Sequence, residues 1–179
     1  MRLYVRTPEA AAPLPERPPA RASHPLFDGK TIGAWRIEHD ATSLGAVDLV
    51  LSVTGEQSLR LRFGLSGGVP ASQFTALAID TPQGVAPNDR IDFTARAEHP
   101  MRISVQIRTD TERWQRSIYI DTVNQPHTIF FDQFLPVGET DTDRAPLADV
   151  RAILFVVDTT NTKPGASGRV WIATPSLQE

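Results

Sequence analysis

Met101-Arg-Ile-Ser-Val-Gln-Ile-Arg108 alternates without a break. Met101, Ile103, Val105 and Ile107 are apolar, while Arg102, Ser104, Gln106 and Arg108 are polar. Successive side chains of a β-strand point to opposite faces, so this parity predicts a strand over 101–109 with one face on a core and the other toward water. Residues 114–121 repeat the pattern, with Ile118 and Ile120 inward and Gln115, Ser117, Tyr119 and Asp121 outward. Residues 90–97 set Ile91, Phe93, Ala95 and Ala97 against Asp92, Thr94 and Arg96. Residues 58–65 set Leu59, Leu61 and Phe63 against Arg60 and Arg62. Further strands are predicted over 33–38, 47–53, 73–80, 127–132, 150–157 and 168–173, separated by turn signals such as Gly67-Gly68, Pro82-Gln-Gly84, Pro87-Asn88-Asp89 and Pro164-Gly165. No helix-length segment keeps a clean 3.6-residue apolar period. The chain therefore reads as all-β, an antiparallel two-sheet jelly-roll sandwich.

Composition narrows the function classes. The chain has 179 residues, 40% hydrophobic and 22% charged, which suits one domain with or without a tail. A net charge of −3 argues against a nucleic-acid binder. Cysteine is absent, which excludes disulfides, thiolate metal sites and thiol nucleophiles. No apolar run reaches the roughly 18 residues of a membrane-spanning helix. Residues 1–24 crowd Pro8, Pro13, Pro15, Pro18 and Pro19 among Ala, Glu and Arg, the composition of an extended spacer. The expected division is a proline-rich linker or tail over 1–24 and a sandwich over 25–179. Such a lead-in suits attachment to an upstream membrane or catalytic part, with exposure outside the cytoplasm favoured; an ordinary N-terminal tail has the same composition. The opening Met1-Arg-Leu-Tyr-Val-Arg6 is charged and is no secretory signal.

The outward-facing set admits two readings. In one it is a solvated surface whose opposite charges pair across strands, each pair contributing about 0.2–1 kcal/mol. In the other it is a polar groove for a sugar chain, because sugar hydroxyls suit Arg, Gln and Asp, and an aromatic ring receives the pyranose face. Arg102, Gln106, Arg108 and Asp121 would then supply hydrogen bonds and Tyr119 the stacking surface. Trp114 is in phase with Ile118 and reads as core, as do Trp35 and Trp171.

The ordered set of segments resembles a known family. It comprises Leu26-Phe-Asp-Gly29 with Trp35, Ile91-Asp-Phe-Thr-Ala-Arg-Ala97, Met101–Arg108, Trp114-Gln-Arg-Ser-Ile-Tyr119, Ile129-Phe-Phe-Asp-Gln-Phe134, Ile153-Leu-Phe-Val-Val-Asp-Thr159, and Pro164-Gly-Ala-Ser-Gly168 before Val170-Trp-Ile172. Over roughly 26–177 this is similar to a galactose-binding-like jelly roll, nearest to the family 11 carbohydrate-binding modules and the complex I intermediate-associated proteins. The resemblance implies a non-catalytic module that binds a polysaccharide or glycoconjugate on its concave face through Arg102, Gln106, Arg108 and Tyr119. The second family implies instead a protein-interaction or assembly role; a third reading is a structural domain appended to a membrane protein, with no ligand. The outer face is short of aromatic residues compared with sugar-binding members. Some members hold a structural calcium, for which Asp28 and the loop around Asp158 and Asn161 are the matching places. Asp28-Gly29 is explained as well by a turn, and Asp158 by a strand-end cap.

Other motifs carry no chemistry. Gly64-Leu-Ser-Gly-Gly68 matches a hydrolase elbow, but Val69-Pro70 and a strand follow where that motif needs a helix, so a glycine-rich hairpin is expected. Gly29-Lys-Thr31 lacks the glycine a phosphate loop requires at His24. His24, His39, His99 and His127 have no zinc spacing. Glu139, Asp141 and Asp143 read as a solvated acidic loop, since Ala145 interrupts any calcium pattern. Paired carboxylates for glycoside hydrolysis would have to come from Asp92 and Asp121 meeting on one face. The expectation is a non-catalytic binding module.

Overall fold

The computed structural model describes residues 16–52, 55–68 and 72–179. Its strands are β1 (Ser23–Pro25), β2 (Arg36–His39), β3 (Leu44–Leu51), β4 (Gln57–Gly64), β5 (Phe74–Asp80), β6 (Arg90–Ala97), β7 (Met101–Arg108), β8 (Arg113–Ile120), β9 (Gln125–Phe130), β10 (Leu135–Pro136), β11 (Ala152–Asp158) and β12 (Ser167–Gln178). They form two six-stranded sheets. The first runs β3-β4-β12-β6-β9, with β1 also on β12, and the second runs β10-β8-β7-β11-β5-β2. Every pairing is antiparallel. The architecture is the two-sheet sandwich that the alternation predicts.

Between the sheets lies one core, built by the apolar parity of each strand. Ile103, Val105 and Ile107 of β7, Trp114 and Ile120 of β8, and Ile153, Phe155 and Val157 of β11 meet Leu59 and Leu61 of β4, Ile91 and Phe93 of β6, and Val170 and Ile172 of β12. Phe155 joins the layers. Its ring stands edge-on to Phe93 of the opposite sheet at 4.9 Å and lies 6.0 Å from Trp35. The Trp35 indole donates to the Leu26 carbonyl at 2.9 Å, so the ring is anchored at its polar end as well. At one edge the sheets come so close that a Cβ on Gly45 would sit 2.5 Å from Ile37 Cγ2 and 2.6 Å from Thr75 Cγ2, and only glycine fits there.

Several expectations change. Consecutive strands β6 and β7 fall in different sheets, so Asp92, Thr94 and Arg96, with Arg60 and Arg62 of β4, lie on the face of the molecule opposite to Arg102, Gln106 and Arg108. Asp92 and Asp121 therefore do not share one sheet face as a carboxylate pair. Trp171 is buried, as expected, but not between the sheets: it alternates with the inward-facing Val170 and Ile172, points out of the first sheet, and is covered by the Arg96 guanidinium 3.6 Å above its ring. The link from β4 to β5 passes between sheets and is not a hairpin; Val69 and Pro70, like Val53, lie outside the described residues.

Strand β12 runs on to Gln178 where the sequence predicts an end at 173. Its register shifts between Ala173 and Ser176, with Thr174 at φ 49°, and this bulge absorbs Pro175. Pro126 is likewise tolerated because β9 is an edge strand, and β9 gives way at Phe131 to a 3-10 turn where the strand was expected to reach 132. The described part of the expected tail is docked. Residues 23–25 pair with the end of β12, Arg90 donates to the Pro18 carbonyl at 2.9 Å, and Arg17 pairs with Asp132 at 2.9 Å while lying over Phe130. Proline lacks an N–H but keeps its carbonyl, which is how a proline-rich segment still attaches. Residues 1–15 lie outside the described part.

Phe155→Ala is expected to cost about 3–5 kcal/mol of stability, because its removal opens a void between the sheets that neither backbone can close. Urea unfolding monitored by tryptophan fluorescence measures this; a loss below about 1 kcal/mol would show that Phe155 does not join the layers.

Candidate functional site

The outer face of the second sheet is laid out in rows by its register. Across β7 and β8, Arg108 faces Arg113, Gln106 faces Gln115, Ser104 faces Ser117 and Arg102 faces Tyr119. On the other side of β7, β11 sets Ala152 beside Arg108, Leu154 beside Gln106 and Val156 beside Ser104. Strand β5 then adds Ala78 beside Leu154 and Ala76 beside Val156. One half of the face is thus amide, hydroxyl and guanidinium, and the other half is aliphatic. Ala76, Ala78, Ala152, Leu154 and Val156 form an apolar cluster separate from the core, none more than 3% exposed, with Phe74 packed against it.

An ion pair roofs part of that cluster. Arg108 of β7 donates both terminal nitrogens to Glu38 of β2, at 2.7 and 2.6 Å. Two strands, β11 and β5, lie between them, so the pair bridges about 14 Å of sheet. Only small residues beneath, the alanines of β5 and β11, leave room for such a span. Glu38 also accepts from Arg36 at 2.6 Å, and Arg36 Nη1 lies 2.8 Å from Asp80 Oδ1 without hydrogen-bond alignment. Burial pushes the Glu38 carboxyl up, but the hydrogen bond and charge of Arg108, with Arg36 behind, outweigh it and hold the group below the ordinary glutamate value.

Beside this roof opens a cleft of about 470 Å³. Its floor is Leu154 and Val156, one wall is Gln106, Arg108, Arg113 and Gln115, and the facing wall comes from Phe74 and the 158–160 turn. Asp158 builds that turn by accepting from the backbone N–H of Thr160 at 3.0 Å and of Asn161 at 3.2 Å. Asn161 then folds onto the sheet: its amide donates to Ser104 Oγ at 2.7 Å, and Ser117 Oγ donates to its carbonyl at 2.8 Å. This bridge closes the face at the serine row.

The bridge divides the residues that parity grouped together. Gln106 and Arg108 line the cleft. Arg102 and Tyr119 share their sheet face and are exposed, but they lie beyond Asn161 and outside the cleft. Asp121 follows the end of β8; its carboxylate accepts from Thr122 N–H and its carbonyl from Ala97 N–H of the other sheet. Arg113, Leu154, Val156 and Phe74 enter the site without having been singled out. Gln115 already belonged to the outward set, and Arg113 could have been found by extending that set one hairpin rung. Leu154 and Val156 could not, because they sit in a continuous apolar run whose two faces look alike in sequence.

Asp28 and Asp158, the residues named for a calcium ion, each cap a turn of their own. Asp28 accepts from Lys30 N–H at 2.8 Å, Thr31 N–H at 2.9 Å and the Thr31 hydroxyl at 3.2 Å, which makes it a turn cap. Those backbone bonds hold its carboxyl below the usual aspartate value. Asp158 caps a separate turn. Among the described residues no three or more His, Cys, Asp or Glu gather where a metal ion could be held.

No family model and no curated protein matches the sequence. Solved structures do share the fold. The family 11 carbohydrate-binding module of a cellulosomal cellulase of Clostridium thermocellum superposes with a TM-score of 0.70 at 16% identity, over 89% of this chain and 95% of that one. The family 11 module from Clostridium thermocellum in complex with a β-1,3-1,4-mixed-linked tetrasaccharide gives 0.68 at 15% identity, over 87% and 94%. An exo-β-agarase gives 0.58 at 16% identity, over 87% of this chain and 25% of that one. The structural neighbours thus include the family 11 modules; the likeness to complex I intermediate-associated proteins rests on the sequence alone.

A carboxylate held below its ordinary value in the fold stabilises fully above its unfolded value, near 4.5 for glutamate, and loses that contribution as pH falls through the folded one. The wild-type melting temperature is therefore expected to fall on acidification below about pH 5. Glu38→Gln should melt lower near neutrality, with the gap to wild type narrowing toward about pH 3. A gap independent of pH, read by differential scanning calorimetry, would show that the Arg108–Glu38 pair does not contribute through charge.

Proposed function

We propose that the chain is an accessory carbohydrate-binding module whose ligand lies in the cleft between Gln106, Gln115 and the 158–160 turn. The observation that carries this reading is the pairing of an aliphatic floor with a wall of amide and guanidinium groups in one open cleft. A sugar ring has the same duality, with apolar C–H faces and a rim of hydroxyls that bond in fixed directions. Leu154 and Val156 offer the C–H surface; Gln106 and Gln115, bonded to each other at 3.2 Å, keep further donors and acceptors free.

The shared fold supports the reading, since solved neighbours are carbohydrate-binding modules and one of them is in complex with a tetrasaccharide. The agarase supports the accessory role, because there this fold matches only a quarter of the chain. A non-catalytic role is supported by the carboxylates at the cleft. Glycoside hydrolysis ordinarily uses two free ones, and here Asp158 caps a turn while Glu38 is held by two guanidinium groups.

Binding through so few contacts is expected in the micromolar-to-millimolar range, about 4–8 kcal/mol. In affinity electrophoresis against a panel of soluble polysaccharides, Gln106→Ala should weaken retardation roughly five- to tenfold. Its melting temperature should stay near wild type, and Tyr119→Ala, beyond the Asn161 bridge, should bind normally. Loss of binding in Tyr119→Ala with Gln106→Ala unaffected would move the site to the other side of Asn161; retardation by no polysaccharide would remove the proposal.

A further inference from the structure

We infer that the cleft selects an acidic polysaccharide, one whose sugars carry a carboxylate or a sulfate ester, and that Arg113 receives the negative group. The inference rests on the cleft being a carbohydrate site and adds to it the charge of the ligand. It starts from a local imbalance. Arg108 and Arg113 occupy directly opposed positions on neighbouring strands, an arrangement that costs energy for like charges.

Arg108 is relieved by Glu38, but that carboxylate is shared with Arg36. Arg113 has no such relief. It is exposed, and among the described residues its side chain makes no ion pair or hydrogen bond. Three acidic groups of this region are engaged elsewhere, Asp80 with Arg36, Glu112 with the Asp141 N–H, and Asp158 with the N–H groups of its own turn, and among the described residues none of Asp110, Glu139, Asp141 and Asp143 pairs with Arg113. A guanidinium that lines a cleft and faces a second guanidinium is left with a fork suited to a bidentate anion. The neighbouring Gln106–Gln115 rung and the Leu154 floor place that fork where a substituent would project from a ring seated in the cleft. The chain as a whole carries −3, so its overall charge repels polyanions, and unspecific attraction does not imitate binding at the cleft.

The test is affinity electrophoresis and titration calorimetry of the whole chain with polygalacturonate, a sulfated galactan, a neutral galactan and a neutral mixed-linkage β-glucan, each over a salt series. Expected is preferential binding of one of the two acidic polymers, which also tells carboxylate from sulfate, with affinity falling as salt rises. Arg113→Gln should cut that affinity at least tenfold, and Arg113→Lys should restore part of it. Arg102→Gln serves as control: it makes the same charge change on the same face beyond Asn161 and should bind like wild type. Equal loss in Arg102→Gln and Arg113→Gln would overturn the inference in favour of diffuse attraction. Preference for the neutral polymers, with Arg113→Gln unaffected, would overturn it while leaving the carbohydrate site in place. Binding to none of the four would end both.

Discussion

Strand β11 is buried on both faces, and the rest of the molecule is arranged around that constraint. Its inward side chains, Ile153, Phe155 and Val157, fill the space between the sheets. Its outward ones, Ala152, Leu154 and Val156, would leave an aliphatic stripe in water at the middle of a sheet. An exposed stripe of that kind invites association. The fold answers it from both sides: Arg108 and Glu38 reach over the alanines from flanking strands, and the 158–162 turn leans onto the serine row. What is left between these two covers is the cleft.

The same arrangement explains why the cleft is polar on one side and apolar on the other. A glycan site needs both, because ring faces and hydroxyls demand different partners. Here the difference comes from strand order: β11 and β5, rich in small and aliphatic residues, lie beside β7 and β8, whose outward positions are long and polar. The guanidinium groups therefore collect along one wall. Glu38 compensates Arg108 through a bond that crosses two strands, and Arg113, on the far side of β7, is out of its reach.

Docking of the lead-in segment follows from the edges. The end of β12 presents unpaired backbone beside β6, and β1 completes it, so residues 23–25 belong to the sheet and Arg17 and Pro18 follow them down its side. Three residues give too little alternation to be read as a strand. Their pairing is decided by a partner about 150 positions away.

Parity along single strands was legible from the chain alone, because it depends only on the two-residue period of extended backbone. It identified the sandwich, the inward residues of β6, β7 and β8, and the outward placement of Gln106, Arg108, Arg102 and Tyr119. Which strands are neighbours was not legible, since hydrogen-bonded partners far apart in sequence leave no local mark. That information put β6 on the opposite layer from β7, turned Trp171 outward, and set β11 next to β7. It also laid Asn161 across the serine row, which separates Tyr119 from Gln106 even though Ser104, Gln115 and Ser117 between them obey the predicted alternation. Local periodicity determined which way the side chains of the alternating strands point; long-range pairing decided which of them meet.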